Sequence, residues 1–353
     1  MVIFQYQIMK IVICIIAFVL IGSISAAAQW QKQAIDTNAS FRGLSVVDQK
    51  VVWASGTGGT VVRTADGGKT WDVIKVPSAE KLDFRDIEAF DAKTAYIISI
   101  GNGEDSRIYK TIDGGKTWKL QFKNTNEKAF FDAIACWDQD NCMAMSDPVD
   151  GKFLLIKTEN GGAEWKQLNT DKMPAIITGE AAFAASGTCL IASGKSTAFL
   201  ISGGMAARVF RSGDRGVTWS VVDAPIIKGT PGSGIFSIAM RDKKNGIIVG
   251  GNYEKPSETN SLAAVTRNGG RSWLTAEGLR GYRSGVAYLN KKIIIAVGTT
   301  GADISRDGGK TWSKFGDENF NAVQTDGKDM IWAVGPKGVV ARSFLGTVTL
   351  DGK

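Results

Sequence analysis

The side chains with the clearest chemical potential are three arginines, Arg42, Arg85 and Arg283, and three acids, Asp132, Asp147 and Glu180. Arginines gathered at one place hold a carboxylate or phosphate through forked N–H pairs. Two carboxyl groups at a suitable separation can divide the acid and base work of glycoside hydrolysis. Histidine is absent, which excludes Ser-His-Asp and Cys-His nucleophile systems and His-ligated metals. Proton transfer would fall to Asp, Glu, Tyr or Lys. No Asp-x-Asp-x-Asp-Gly run marks a calcium loop. The runs "GTGGT" and "GTTG" lack the strand-to-helix setting of a dinucleotide site. No metal and no cofactor are expected.

Residues this far apart can meet only if the architecture gathers them, and an internal repeat supplies it. A phrase of the form Ser/Thr-x-Asp/Asn-x-Gly-x-x-Trp occurs six times. Its acid or amide and its closing tryptophan are Asp66 and Trp71, Asp113 and Trp118, Asn160 and Trp165, Asp214 and Trp219, Asn268 and Trp273, and Asp307 and Trp312. The tryptophans are 47, 47, 54, 54 and 39 residues apart. Short apolar runs such as "TVVRT" and "TWDVIKV" flank each copy. The phrase therefore reads as a hairpin turn, with Gly supplying positive φ and Asp accepting from the turn's own amides. Two more runs precede each hairpin, as in "FRGLSVVDQKVVWASG". Each period is thus a four-stranded antiparallel meander, one blade of an all-β propeller. Residues 320–343 supply three strands of a seventh blade, and "QWQKQAI" at 29–35 supplies a Trp-led strand with nothing before it. The N-terminal strand is expected to close a seven-bladed ring, leaving no free edge at the seam.

The six phrases resemble those of the Asp-box, or BNR, propellers, a group that includes sialidases, β-glucan hydrolases, the sortilin luminal domain and the photosystem II assembly or stability factors. The resemblance spans the whole chain after residue 28, and is nearest to the stability-factor branch. It implies a seven-bladed propeller. Some relatives carry glycosyl hydrolase or oxidoreductase labels, and fold alone does not choose among these functions. Phe41-Arg42-Gly43-Leu44 resembles the opening of the sialidase Phe/Tyr-Arg-Ile-Pro motif at Arg42, with Gly-Leu in place of Ile-Pro.

In such a ring the first-strand starts and the second-to-third-strand loops share one face, opposite the repeated turns. Aligned first-strand starts give Arg42, Arg85, Phe131, Glu180, Phe236, Arg283 and Asn321. Arg42, Arg85, Arg283 and Asn321 are candidate anion ligands, with Tyr282 and Tyr253 beside them. Asp132, Asp147 and Glu180 form the opposing acidic side and are the catalytic candidates if the protein is a hydrolase. The stretches 194–204 and 250–261 read as insertions on this face and candidate partner contacts.

The N-terminus carries Lys10, an apolar run from Ile11 to Ile21, and Ala26-Ala27-Ala28. This is the pattern of a secretory signal cleaved after Ala28, leaving one domain over 29–353. A periplasmic or extracellular monomer is expected, with no membrane span after cleavage. Export permits disulfides. "CWDQDNC" places Cys136 and Cys142 on facing strand ends, which pair, and leaves Cys189 free. A net charge of +7 without a basic stripe argues against nucleic acid. The leading expectation is an exported scaffold that binds an envelope or secreted protein, or a glycan, through the channel-mouth face. A glycoside hydrolase using the acids is the alternative, and an oxidoreductase a weaker one, since no cofactor motif is present.

Overall fold

The computed structural model describes residues 30–345; the expected signal segment lies outside them. The chain forms a seven-bladed, all-β propeller of antiparallel blades. Blade one is typical, with strands Phe41–Val46, Val52–Gly56, Thr60–Thr64 and Asp72–Lys75 paired in that order. Its second strand is wholly buried, because blades cover both of its faces. That is why second strands read as unbroken runs such as "VWASG" and "IIAVG" rather than as alternating patterns.

Blade seven is built from both ends of the described chain. Ala322–Thr325, Met330–Val334 and Val340–Phe344 are completed by Gln31–Lys32, which pairs antiparallel with the last of them. Trp30 is buried, with ring centroids 5.2 Å from Phe315 and 4.7 Å from Phe320. It thereby packs blade seven onto blade six, as the closing tryptophan of a repeat does elsewhere.

The repeated turns share one geometry. In the first, Asp66 Oδ1 accepts from the amides of Lys69 and Thr70, each at 2.9 Å, and Asp66 Oδ2 accepts from the Thr70 hydroxyl at 2.6 Å. Thr64 Oγ1 accepts from the Gly68 amide at 2.9 Å. These donors, the Thr70 hydroxyl first, hold the Asp66 carboxyl well below its ordinary range. Asp113 is held at about 2 in the same way by Thr117. Each turn is tied to the first-to-second-strand turn of its own blade, for instance Gly67 N–H to Lys50 O at 2.9 Å and Gly308 N–H to Lys292 O at 2.8 Å. The tryptophans pack on the preceding blade's second strand: Trp71 meets Trp332 edge-on at 5.7 Å and Trp118 meets Trp53 at 6.5 Å. Gly67 and Gly68 have φ of 76° and 83°, and a Cβ at position 68 would lie 2.7 Å from the Trp332 ring. Glycine is required by conformation and by space. Cys136 and Cys142 are joined by a disulfide across the blade-three turn on this same face; Cys189 is free and buried.

Blade four differs from the sequence expectation. Its first strand is Leu190–Ser193, ten residues after Glu180. Glu180–Ala181 instead pairs with Gly203–Gly204, which pairs at Gly203 with Gly234 and joins the sheet of blade five. The run "AFAASG" at 182–187, poor in β-branched residues, lies irregularly between them. The stretch 194–204 is not an insertion: its apolar "TAFLI" is the second strand, Thr197–Ile201. The turn before it faces the repeated-turn side, where Ser196 O accepts from Arg215 N–H. The extra length of this blade lies in the 168–189 connection.

Candidate functional site

The first strands of blades one, two, three and five each carry a β-bulge near their start. Pairing skips from Phe41 to Gly43, Phe84 to Asp86, Phe131 to Ala133 and Ile235 to Ser237. The skipped residues are Arg42, Arg85, Asp132 and Phe236. A bulge re-aims the side chain it leaves unpaired, and all four line one cavity of about 460 Å³ at the channel mouth. Asp147, also lining it, is skipped between Ser146 and Pro148. In blade three the inward residue is therefore Asp132; Phe131, which the aligned starts suggested, is buried in the blade interface.

The cavity has three walls. Arg42 and Arg85 form a cationic wall. Arg42 Nη1 donates to Ala185 O at 3.0 Å, and Arg85 donates to Asp83 at 2.7 Å and to Ala184 O at 3.3 Å. Asp83 pairs with Arg85, while no carboxylate pairs with Arg42 among the described residues. Burial, then the neighbouring Arg85 charge, lowers the Arg42 pKa. Asn321 lines this side and anchors the seam, donating to Phe41 O at 2.8 Å. The second wall is aromatic. Phe183 and Phe236 stack with centroids 4.0 Å apart, Tyr282 meets Phe236 edge-on at 4.7 Å, and the half-exposed Tyr253 caps both phenylalanines at 6.3 and 6.2 Å. Burial raises the Tyr282 pKa, so it stays a neutral phenol.

The third wall is acidic. Asp147 Oδ1 accepts from the Ala182 amide at 2.8 Å, and burial pushes its pKa up to about 6. Asp132 is 1% exposed, and its Oδ2 has no hydrogen-bond partner among the described residues. Burial, then the Asp147 charge, raises its pKa well above the ordinary value. The two carboxyls therefore titrate as a pair and resist being ionised together. Deeper in the channel, Asp86 accepts from Ile87 N–H at 2.8 Å and Ile134 N–H at 2.9 Å, and burial moves it to about 8. Glu88 is only partly exposed, and burial raises its pKa too, with Asp86 adding to the shift. The 182–189 connection crosses beside these groups and is fixed by Ser186 to Ser284 O at 2.7 Å.

The BNR/Asp-box repeat pattern matches residues 303–314, and the same turn geometry recurs at all six phrases. The chain is a seven-bladed propeller that carries the Asp-box type of turn. Solved structures with a similar fold include YCF48 bound to D1 peptide, at 17% identity and TM-score 0.66, covering 92% of this chain and 99% of that one. YCF48 from Cyanidioschyzon merolae gives 18% identity and TM-score 0.63 over 90% and 99%. The Niastella koreensis GH74 enzyme gives 15% and 0.59 over 88% of this chain and 53% of that one. These similarities establish the fold. No curated protein matches the chain in sequence.

Two of the residues expected at the channel mouth point elsewhere. Arg283 is fully buried and donates to Asp303 Oδ2 from Nε at 2.9 Å and from Nη2 at 2.5 Å, and to Thr300 Oγ1 at 2.9 Å. Side chains alternate along extended backbone, so Tyr282 and Ser284 face the cavity and Arg283 turns away. Glu180 is buried against Arg208, accepts from its Nε at 2.9 Å and from Ser202 at 2.5 Å, and does not line the cavity. It belongs to the connection before blade four, not to a first strand. Arg42, Arg85, Asn321, Tyr282, Tyr253, Asp132 and Asp147 do come together. The stack of Phe183 on Phe236 was not a sequence-derived site feature. Phe236 sits at an aligned first-strand start, but nothing local marks Phe183. Among the described residues no helix is long and apolar enough to cross a membrane.

Proposed function

We propose that this propeller is an exported scaffold that binds a polypeptide segment of a partner protein at its channel mouth. The observation that carries the reading is Arg42: a guanidinium without a carboxylate partner among the described residues, beside a second guanidinium, opening onto an aromatic wall. Desolvated arginine next to exposed tyrosine is the composition of a binding hot spot, and a forked guanidinium suits a carboxylate. The peptide seen on the structurally similar YCF48 adds support for a protein ligand. The withdrawal of Glu180 into its pair with Arg208 leaves the hydrolase reading without its third acid. A random heptapeptide library displayed with free carboxyl termini and selected on the protein tests the proposal. Enriched peptides should bind the native protein and lose at least tenfold in affinity to Arg42→Ala/Arg85→Ala. Peptides that bind the double variant equally well would place recognition elsewhere.

A further inference from the structure

The acidic wall is unexplained by a site that only captures anions. Asp132 and Asp147 both occupy bulge positions, in adjacent strands of one blade. Asp132 is buried, lines the cavity and leaves Oδ2 without a partner. An unpaired buried oxygen is costly in either protonation state, because the acid form needs an acceptor as much as the ionised form needs a donor. The nearby groups cannot supply a cation. Arg85 is engaged with Asp83 and Ala184, Arg42 reaches Ala185, and Asp86 is satisfied by two amides. Among the described residues no three His, Cys, Asp or Glu side chains converge as metal ligands. An organic cation would supply the missing donor. The Phe183–Phe236 stack and Tyr253 offer ring surfaces for its apolar stem and its charge.

We propose that the mouth recognises a chain end whose last residue is lysine or arginine: the side-chain cation on Asp132 and Asp147, the stem against the aromatic wall, and the α-carboxylate on the free N–H groups of Arg42. This rests on the reading of the mouth as a peptide site and specifies its ligand. One cavity then satisfies two opposite unpaired charges with a single residue, which neither wall alone would select. Binding supplies donors to the Asp132–Asp147 pair and favours its ionised form.

Isothermal titration with N-acetyl-Gly-Gly-Lys and N-acetyl-Gly-Gly-norleucine tests it, since the two probes share the carboxylate and stem and differ in the cation. The lysine probe should bind at least tenfold more tightly to the native protein. Asp132→Asn should erase that preference while keeping norleucine affinity within about twofold, and Arg42→Gln should weaken both probes. A native thermal transition for Asp132→Asn, or Asp147→Asn in its place, guards against misfolding. Equal affinity for the two probes, dependent on Arg42, would overturn this inference and leave the peptide-scaffold reading intact. Binding of neither probe would overturn this inference, and the selected heptapeptides would then decide the scaffold reading.

Discussion

Deletion of residues 29–36 should unfold or severely destabilise the whole ring. The segment supplies the fourth strand of blade seven, the Gln33 N–H to Val340 O bond at 2.8 Å, and Trp30 between blades six and seven. Loss of a buried Trp alone costs about 3–5 kcal/mol, and native domains are stable by only about 5–15 kcal/mol. The deletion also exposes the open edge of Val340–Phe344, an invitation to intermolecular pairing. Trp30→Ala should reproduce the larger part of the loss. Urea unfolding followed by tryptophan fluorescence measures both variants, and a deletion with an unchanged midpoint would refute closure through this strand.

Asp303→Ala should be the most damaging single change outside the seam. Asp303 is completely buried and is the acceptor for Arg283 and for Arg280, whose Nε lies at 2.7 Å. Its removal leaves the buried Arg283 guanidinium uncompensated, a loss of about 3–5 kcal/mol for one partner of a buried pair. Replacing both ends, with Arg283→Met added to Asp303→Ala, should recover part of it, because no buried charge is left alone and the exposed Arg280 is solvated. Equal urea midpoints for the single and double variants would show that charge burial is not the source of the damage. Arg283 thus contributes to stability, and the turn of its side chain away from the mouth leaves ligand affinity to Arg42 and Arg85.

The parts of this molecule that were legible in sequence are those fixed by local chemistry. A turn with two left-handed residues, an acceptor three residues before its donors and a closing tryptophan can be written in few ways, so six copies count six blades. The split seventh blade was legible because each fragment lacks what the other has. Arg42, Arg85 and Asp132 each follow a phenylalanine at a first-strand start, and the repeat carries that register from blade to blade. Blade four breaks the register. Its long connection inserts before the first strand, so counting forward from Trp165 reaches Glu180 too early. Arg283 shows a second limit. Whether a side chain faces the channel or the next blade depends on whether a bulge shifts the pleat by one residue. No bulge intervenes at Arg283, and Asp303, two blade strands away, draws the guanidinium outward. The aromatic wall depends on Phe183, in an irregular segment with no periodic pattern to place it.

Hydrogen exchange read by mass spectrometry, on the protein with and without a peptide selected against it, tests the central claim most directly. Protection should appear in peptides covering residues 41–43, 84–86, 182–187, 252–254 and 282–284, which gather at the mouth cavity. The six repeated turns on the opposite face should exchange as before. Protection confined to those turns, or to the outer strands of the blades, would contradict a binding site at the channel mouth.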